Sequence, residues 1–483
     1  MDYYGDDSMN QFENRNHIPE NVRSIHLIAI CGTGMAALAG MLKASGFAVT
    51  GSDQHVYPPM STFLADKGID IFEGYRAENL NHRPDLVVVG NAVSRDNAEV
   101  AALLQGEYHY CSMPQAVNRF IAKDKKRLVV TGTHGKTTTA SILAWILDRA
   151  GMDPAFFIGG ILKNYDSNCR LGKGPYMVLE GDEYDTAFFD KGPKFLHYAP
   201  HKAILTSVEF DHADIFKDLN HIRQAFDDFL ANTPKDASVY AFDHDPVIDG
   251  LVQNKSCRIA RYGRQDKSLW RLGRVKVTPP WTMFDIRYGG DRFGEFKTSL
   301  MGEHNLTNIL AVIAVCHDLG VERHIIAEAV ETFEGVKRRQ EVRGRKRNIT
   351  VLDDFAHHPT AVRETIKAIG PFCEKGRLIA VFEPRTNSSM RRVFQTVYPQ
   401  SFDGADLICI RKPPLLHKIP KNERFDSEKL VADLKSQGKA AYYFTDTKAI
   451  IDFLADEANG GDYILVMSNG GFDNIHERLL NRL

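Results

Sequence analysis

The sequence predicts an α/β protein of three domains, each built around a mainly parallel sheet. Two observations carry this. The chain has 483 residues, and at roughly 100–200 residues per domain that length suggests about three. A strand, a loop and a helix also restart three times, at residues 25–30, 127–131 and 348–354, with strands and helices alternating in between as a parallel sheet requires.

Residues 1–22 begin MDYYGDDSMNQFENRNHIPE, which is polar and acidic. They lack the basic start and apolar stretch of a secretory signal and read as a flexible leader. The first domain is expected over 23–122. It opens with IHLIAI, the turn CGTGMA and a helix closed by Gly46, then a second strand, FAVTGSD; a glycine there suits the left-handed residue that ends a helix. Read alone, G-x-G-x-x-A with Asp53 twenty-one residues after Gly32 suggests a dinucleotide loop. Nothing downstream supplies a hydride-transfer site, which disfavours a nicotinamide cofactor.

The charged KDKKR marks the junction to a central domain over 123–335, which restarts as RLVVT, GTHGKTTT and a helix closed by Gly151. Between 238 and 297 short strand-like pieces with turn signals such as YGGDRFG suggest an antiparallel insertion. The third domain, 336–483, opens with NITVLDD and FAHHP. Pro359 suits the first turn of a helix that Gly370 and Pro371 stop.

With 60 basic against 62 acidic side chains, the net charge of −2 offers no broad field for nucleic acid or a membrane surface. The longest apolar runs fall short of the ~18 residues of a membrane span. Seven scattered cysteines, 31, 111, 169, 257, 316, 373 and 409, form no C-x-x-C pair and suggest neither disulfides nor structural zinc, as expected of a reducing cytoplasm.

GTHGKTTT lies between a β-rich strand and a helix, the setting of a phosphate loop. Gly132 and Gly135 let backbone N–H groups close on an anion, Lys136 can reach the β- and γ-phosphates, and the Thr137 hydroxyl can enter a Mg²⁺ shell. Gly132 stands only three positions before Gly135, closer than the general pattern. Two acid-rich strand ends follow: VLEGDEYD, with Glu180, Asp182, Glu183 and Asp185, and AILTSVEFDHADIF, with Glu209, Asp211, His212 and Asp214. Acids at strand ends are commonly just solvated, but this clustering suits the carboxyl-end crevice of a parallel sheet and the oxygen ligands Mg²⁺ prefers. In GEHNLTN, Asn305 and Asn308 share one helix face; they could meet an adenine edge, or serve as a cap and an ordinary polar position.

Taken in order, TGTHGKTTT, LEGDEYD, VEFDHADIF, GEHNLTN, GVKRRQE and DDFAHHPTA resemble the Mur ligases, and the resemblance runs from about residue 25 to the C-terminus. It implies a cytoplasmic ATP-dependent, ADP-forming ligase with a Rossmann-like N-terminal domain, a central P-loop ATPase domain with a mainly parallel sheet and a Rossmann-like C-terminal domain, which hold in turn a UDP-sugar, ATP and the incoming amine, with an acyl-phosphate intermediate. By that resemblance Gly132, Thr133, His134, Gly135, Lys136, Thr137 and Thr138 bind ATP with Asn305, Asn308, Arg339 and Asp354. Lys136, Glu180 and His212 are its catalytic residues; Thr137, Glu180 and His212 hold two Mg²⁺ ions. Gly32, Thr33, Gly34, Met35 and Asp53 hold the UDP-sugar. Several members carry a carbamoylated lysine fifteen residues after the metal-binding histidine; Asp227 stands there, a trait of the branch acting directly on UDP-N-acetylmuramate.

Within that branch, GVKRRQEVRG, VFEPRTNSSM and MSNGGFDNIHERLL resemble the form that adds L-alanyl-γ-D-glutamyl-meso-diaminopimelate in peptidoglycan recycling more than the form that adds L-alanine in synthesis. Such a peptide carries carboxylates, so cations are expected in the third domain, with Arg385 and Arg391 as candidates. A non-ligating nucleotide-dependent regulator is the alternative of a different class.

Overall fold

The structure, a computed structural model, describes residues 15–373 and 375–483. Residues 1–14 of the expected leader lie outside these. From 15 onward the chain is packed: the Tyr110 N–H donates to the Arg15 carbonyl, and Ile18 and Val22 rest on the adjoining core.

The first sheet comprises β1 (Ser24–Ile28), β2 (Ala48–Asp53), β3 (Asp70–Glu73), β4 (Leu86–Val89) and β5 (Tyr110–Ser112), in the order β3-β2-β1-β4-β5. All its pairings are parallel. β1 and β4 are almost wholly buried, as strands covered on both faces must be, which is why they read as continuous apolar runs. The chain leaves β1 for β2 on one side and returns as β4 on the other, so the CGTG turn sits where the strand order reverses. Crevices of this kind hold ligands. Helix α1 (Thr33–Ala44) starts there and ends with Gly46 at φ 94°.

The second sheet has ten strands: β6 (Lys126–Thr131), β7 (Ala155–Leu162), β8 (Ser167–Arg170), β9 (Tyr176–Gly181), β12 (Lys202–Leu205), β13 (Ser238–Phe242), β14 (Arg258–Gly263), β15 (Trp270–Thr278), β16 (Trp281–Tyr288) and β17 (Asp291–Thr298). Short strands β10 (Asp185–Ala187) and β11 (Asp190–Pro193) pair separately. The order is β17-β16-β15-β14-β13-β12-β6-β9-β7-β8. This corrects the antiparallel insertion expected from residue 238: β13 and β14 continue the parallel sheet, and antiparallel pairing begins only at β15 with β16. Helix α2 (Lys136–Arg149) follows β6, α3 (Leu219–Ala231) follows β12, and the fully apolar face of α4 (Glu303–Asp318) covers the sheet.

The third sheet comprises β18 (Glu341–Lys346), β19 (Ile349–Asp354), β20 (Leu378–Phe382), β21 (Leu407–Arg411), β22 (Ala440–Phe444) and β23 (Tyr463–Met467), in the order β18-β19-β23-β20-β21-β22. Only β18 runs antiparallel, at an edge. Helix α5 (Pro359–Ile369) follows β19, and α6 (Ser427–Ser436) follows β21. No helix among the described residues is long and apolar enough to cross a membrane, and none of the seven cysteines is paired.

The two junctions between sheets differ in kind. One apolar cluster runs from Leu27 and Leu38 in the first sheet's layers to Leu179 and Phe226 in the second's. The third sheet has cores of its own, and it meets the second through polar contacts and through Phe210 and Met301, which pack against one of those cores. Burial of Phe382, 0 % exposed against Tyr398 and Phe402, stabilises only that third unit. Phe382→Ala should cost about 3–5 kcal/mol, seen as a lower urea midpoint for one transition while the remaining unfolding signal stays put.

Candidate functional site

Three neighbouring strands of the second sheet end together. Thr131 of β6 is in register with Gly181 of β9 on one side and Leu205 of β12 on the other. The loops that leave these strands therefore converge, and they carry the motifs singled out above.

The phosphate loop follows β6. Gly132 has φ 131°, and a Cβ on it would lie 2.2 Å from Thr206 Oγ1 and 2.8 Å from the Ser207 nitrogen. Gly135, at φ 79°, precedes α2 without any side-chain cap, and a Cβ there would press on the Asn308 amide at 3.0 Å. Both positions thus need glycine, by conformation and by space. The uncapped helix start leaves its first N–H groups, at Lys136, Thr137 and Thr138, without intrahelical acceptors and favours an anion in front of them. Thr133 and His134, expected to bind ATP, use their N–H groups differently. They donate to the Ser207 carbonyl at 2.9 Å and the Ser207 hydroxyl at 3.0 Å, which fastens the loop to the strand end beside it.

Lys136 donates to the Gly132 carbonyl at 2.6 Å and to both oxygens of Glu183 at 3.0 and 2.8 Å. Glu183 also meets His212 Nε2 at 3.1 Å. Burial disfavours a charged Lys136, but the Glu183 and Asp182 carboxylates more than compensate, and its pKa stands above the ordinary value. His212 behaves alike: burial opposes the imidazolium, while the Glu183 hydrogen bond and charge raise its pKa. His212 itself has φ 54°, its N–H donates to Asp211 Oδ1 at 2.7 Å, and its ring lies edge-on to Tyr184.

Glu180 stands to one side of this chain of charges. It accepts from the Thr137 hydroxyl at 3.1 Å and from the Gly159 N–H at 2.6 Å. Burial nevertheless pushes its carboxyl pKa up, against those two bonds and Lys136. Asp182 is half-buried, which opposes its charge, yet the Lys194 ammonium 2.6 Å away and Lys136 bring its pKa down to about 2. Thr137, Glu180, Glu183 and His212 form a donor set dominated by oxygen, and they flank the loop where a nucleotide's phosphates would lie. That set fits Mg²⁺. Asp227, at the position of the absent lysine, is turned away and pairs with Lys255 at 2.7 Å.

Asn308 touches the phosphate loop, as described, and Asn305 donates to the Met301 carbonyl at 2.8 Å and to Gln340 Oε1 at 3.2 Å. Beside them His304 Nδ1 and Gln340 Nε2 are buried without a hydrogen-bond partner. A buried orphan costs free energy, and an acceptor paired with a donor is what an adenine edge satisfies. Neither residue was singled out from the sequence, although His304 lies inside GEHNLTN. Arg339 lies over the Phe355 ring at 4.8 Å. Asp354 accepts the N–H groups of Gln340 at 2.8 Å and Ala356 at 2.7 Å, so it pins the turn that presents them.

The seam to the third sheet is built on Glu209, which accepts the Thr360 hydroxyl at 2.7 Å and has His134 at 3.4 Å and His358 at 3.6 Å. Burial alone would raise the Glu209 carboxyl; the His134 and Thr360 hydrogen bonds hold it at about 2. His134, Glu209 and His358 also bring ligand atoms within 4.8 Å of one another. However, His358 Nδ1 already accepts the Thr360 N–H, and its Nε2 meets the Phe210 carbonyl, which fits a neutral ring making structural hydrogen bonds. Close by, Ala213 N–H donates to Ser388 Oγ at 3.1 Å and Asn387 donates to Asp214 at 3.0 Å.

The residues expected to hold a UDP-sugar lie at the reversal point of the first sheet. Gly32 precedes α1 with no side-chain cap, which leaves Thr33 and Gly34 at an open helix start. Asp53 accepts the N–H groups of Cys31 at 2.9 Å and His55 at 3.0 Å, holding the turn. The Met35 side chain, by contrast, is buried in the core, so only its backbone faces the turn. A Cβ on Gly34 would approach Phe157 at 3.8 Å. Phe157 lies on β7, two residues before the Gly159 that bonds Glu180, so this turn abuts the central crevice.

Family models match along the chain in the same three parts: the Mur ligase family catalytic domain over 24–125, the Mur ligase middle domain over 130–316, and the Mur ligase glutamate ligase domain over 338–470. Among curated relatives, the UDP-N-acetylmuramate–L-alanyl-γ-D-glutamyl-meso-2,6-diaminoheptandioate ligase of Escherichia coli is 39% identical over 95% of this chain and 98% of its own length. A UDP-N-acetylmuramate–L-alanine ligase of Desulforapulum autotrophicum is 32% identical over 95% and 98%. The structure resembles a murein peptide ligase from Psychrobacter arcticus (33% identity, TM-score 0.70, 95% of this chain and 98% of that one). It also resembles the UDP-N-acetylmuramate–alanine ligase of Thermotoga maritima (26%, TM-score 0.78, 95% and 98%).

Gly132→Ala should abolish nucleotide binding by calorimetry, because no rotamer relieves a clash with backbone at Ser207. A pH test follows from two histidines. Burial first, and neighbouring His134 second for His358, lower the pKa of His304 and His358 from 6.5 to about 4. The unfolded chain therefore binds more protons between these values, so their contribution is full above pH 6.5, falls as pH drops towards 4 and is flat below. The thermal midpoint of the His304→Gln/His358→Gln variant should fall less steeply than that of the wild type over this window.

Proposed function

The chain belongs to the Mur ligase family, and on that premise we propose that it joins L-alanyl-γ-D-glutamyl-meso-diaminopimelate to UDP-N-acetylmuramate, consuming ATP. The lactyl carboxylate attacks the γ-phosphorus, ADP leaves, and an acyl phosphate forms. The peptide's alanyl amine then adds to the acyl carbon, loses a proton, and the tetrahedral intermediate expels phosphate to leave the amide. Activation is needed because a carboxylate oxygen leaves poorly and phosphate leaves well. The observation that carries this reading is the Lys136–Glu183–His212 chain, built on a buried carboxylate at the mouth of a glycine-lined phosphate loop.

Lys136 can exchange its bonds to Glu183 for the terminal phosphate and offset the charge developing on it, the kind of preorganised electrostatic help that phosphoryl transfer uses most. The N–H groups of Lys136 and Thr137 orient the phosphates. Asn305, Asn308, His304 and Gln340 hold the base, and Arg339 over Phe355 closes that end. Gly32, Thr33, Gly34 and Asp53 hold the UDP-sugar so that its carboxylate reaches the phosphate. Thr137, Glu180, Glu183 and His212 would hold Mg²⁺, two ions in our reading, which neutralises charge on the phosphates. The tripeptide is favoured over L-alanine by the higher identity to ligases named for that peptide than to those named for alanine. We place the reaction in the cytoplasm, where ATP is available and seven unpaired cysteines are at ease.

ADP release should require the UDP-sugar and a peptide together, with the tripeptide used far better than L-alanine. Turnover of ATP alone would instead mark a nucleotide switch. Lys136→Ala should remove product formation while leaving UDP-N-acetylmuramate affinity, measured calorimetrically, within about twofold, because the two ligands are held on different sheets; equal loss of both would sink this division of labour.

A further inference from the structure

His212 stands in a conformation that its own segment does not favour. Its φ of 54° is left-handed, where a residue with a Cβ crowds the following carbonyl. Such strain persists only where the surroundings hold it, and it gathers at functional sites. Part of the hold here comes from another domain. The N–H of Ala213, the next residue, donates at 3.1 Å to the hydroxyl of Ser388, which is buried on the loop leaving β20. Asp211 Oδ1 accepts the His212 N–H at 2.7 Å, and His357, on the loop after β19, lies 3.7 Å from Asp211 Oδ2. Asn387 donates to Asp214 Oδ2 at 3.0 Å. Residues 211, 213 and 214 are each met by a side chain from the third sheet's loops, with His212 between them.

The second sheet fixes the ring. Tyr184 lies edge-on to the imidazole with centroids 4.3 Å apart, and its hydroxyl donates to the same Asp214 oxygen at 3.2 Å. The His212 carbonyl accepts the N–H groups of Ile215 at 2.9 Å and Phe216 at 3.0 Å. Held in this way, His212 Nε2 meets Glu183 Oε1 at 3.1 Å, the oxygen that also accepts from Lys136 at 3.0 Å. The loop of Ser388 is itself braced, because Ser389 Oγ accepts the N–H groups of Arg385 at 3.0 Å and Thr386 at 2.9 Å. Arg385 and Arg391, the candidates from sequence for the peptide's carboxylates, pair with Glu383 and Glu423.

We propose that Ser388, seconded by Asn387, is a positioning residue for the ligation: by accepting the Ala213 N–H it holds His212 in the left-handed turn that aims its imidazole at Glu183. This rests on the ligase reading above and adds to it that a side chain of the third sheet completes the phosphate side of the crevice. Ser388 acts through His212. Without its hydroxyl the half-buried Ala213 N–H loses its acceptor, and one of the bonds that offset the strain is gone. Asp214 works alongside, since its carboxylate is shared by Tyr184, which packs on the imidazole, and by Asn387 across the seam. The imidazole is thus referred to both sheets at once, and small displacements of a group in a charge chain are costly in rate.

The test uses the full-length enzyme with ATP, UDP-N-acetylmuramate and the tripeptide. In Ser388→Ala, kcat should fall about ten- to a hundredfold, while KM for UDP-N-acetylmuramate stays within about twofold. Ser388→Thr, which keeps the hydroxyl, should restore most of the lost rate. Asn387→Asp sets two carboxylates against each other and should lower kcat; Asp214→Asn/Asn387→Asp exchanges donor and acceptor and should recover it. A second readout needs no turnover. In chelator-treated protein with histidine ¹³C-labelled at Cε1, the His212 signal, identified by its loss in His212→Gln, should move in Ser388→Ala as it does in Tyr184→Leu. An unmoved signal or an unchanged kcat in Ser388→Ala, or a swapped pair no more active than Asn387→Asp alone, would overturn the positioning role and leave the ligase intact. A wild type that consumes no ATP with the sugar and any amine donor would overturn the function proposed above, and the His212 signal would still decide the contact.

Discussion

Lys136 is held, nearly buried, against a carboxylate that is 1 % exposed, and the arrangement of the central domain follows from making that tolerable. An isolated ammonium or carboxylate loses heavily on leaving water, and the pair recovers that only with good geometry and further hydrogen bonds. Both are present: Glu183 binds Lys136 through two oxygens and His212 through one, and Lys136 reaches back to the Gly132 carbonyl. Such geometry requires three adjacent strand ends in fixed register. The parallel order β12-β6-β9 provides it.

A pair that roughly breaks even energetically is well suited to exchange partners. An arriving phosphate can take up the ammonium without stranding it, since the site is already shaped around a negative group. The glycines at 132 and 135 serve the same end from the backbone side. They bring the loop so close to Thr206 and Ser207 that no Cβ fits at 132, and tight against the Asn308 amide at 135, leaving an open helix terminus as the exposed feature.

The difference between the two interdomain junctions bears on how the substrates meet. An apolar core continuous between the first and second sheets fixes the turn after β1 relative to Glu180 through β7. The third sheet meets the second through hydroxyl, amide, imidazole and carboxylate contacts, as at Glu209–Thr360 and Ala213–Ser388, beside an apolar contact of Phe210 and Met301 with its core. Polar junctions cost less to open than apolar ones, because water can replace each bond.

Much of this was legible in the sequence. Periodicity and glycine stops marked the three restarts and the helices from Thr33, Lys136 and Pro359, since local backbone preference and a buried face decide them. The phosphate loop was legible because GKTTT stands between a β-rich strand and a helix, whereas acids at strand ends are as readily solvated, so Glu180 and His212 were singled out by the family resemblance and not by their spacing. Tertiary structure decided the rest. In EGDE nothing local distinguishes the acid that faces Lys136 from the one that faces Lys194, for the turn after β9 sets their directions. The buried orphans on His304 and Gln340 come from segments thirty-six residues apart and meet only when the third sheet docks. Whether β13 and β14 run parallel or antiparallel depended on which edge of the sheet stood open. Spacing along the chain governs local conformation, whereas partners brought together across strands depend on packing that no single segment contains.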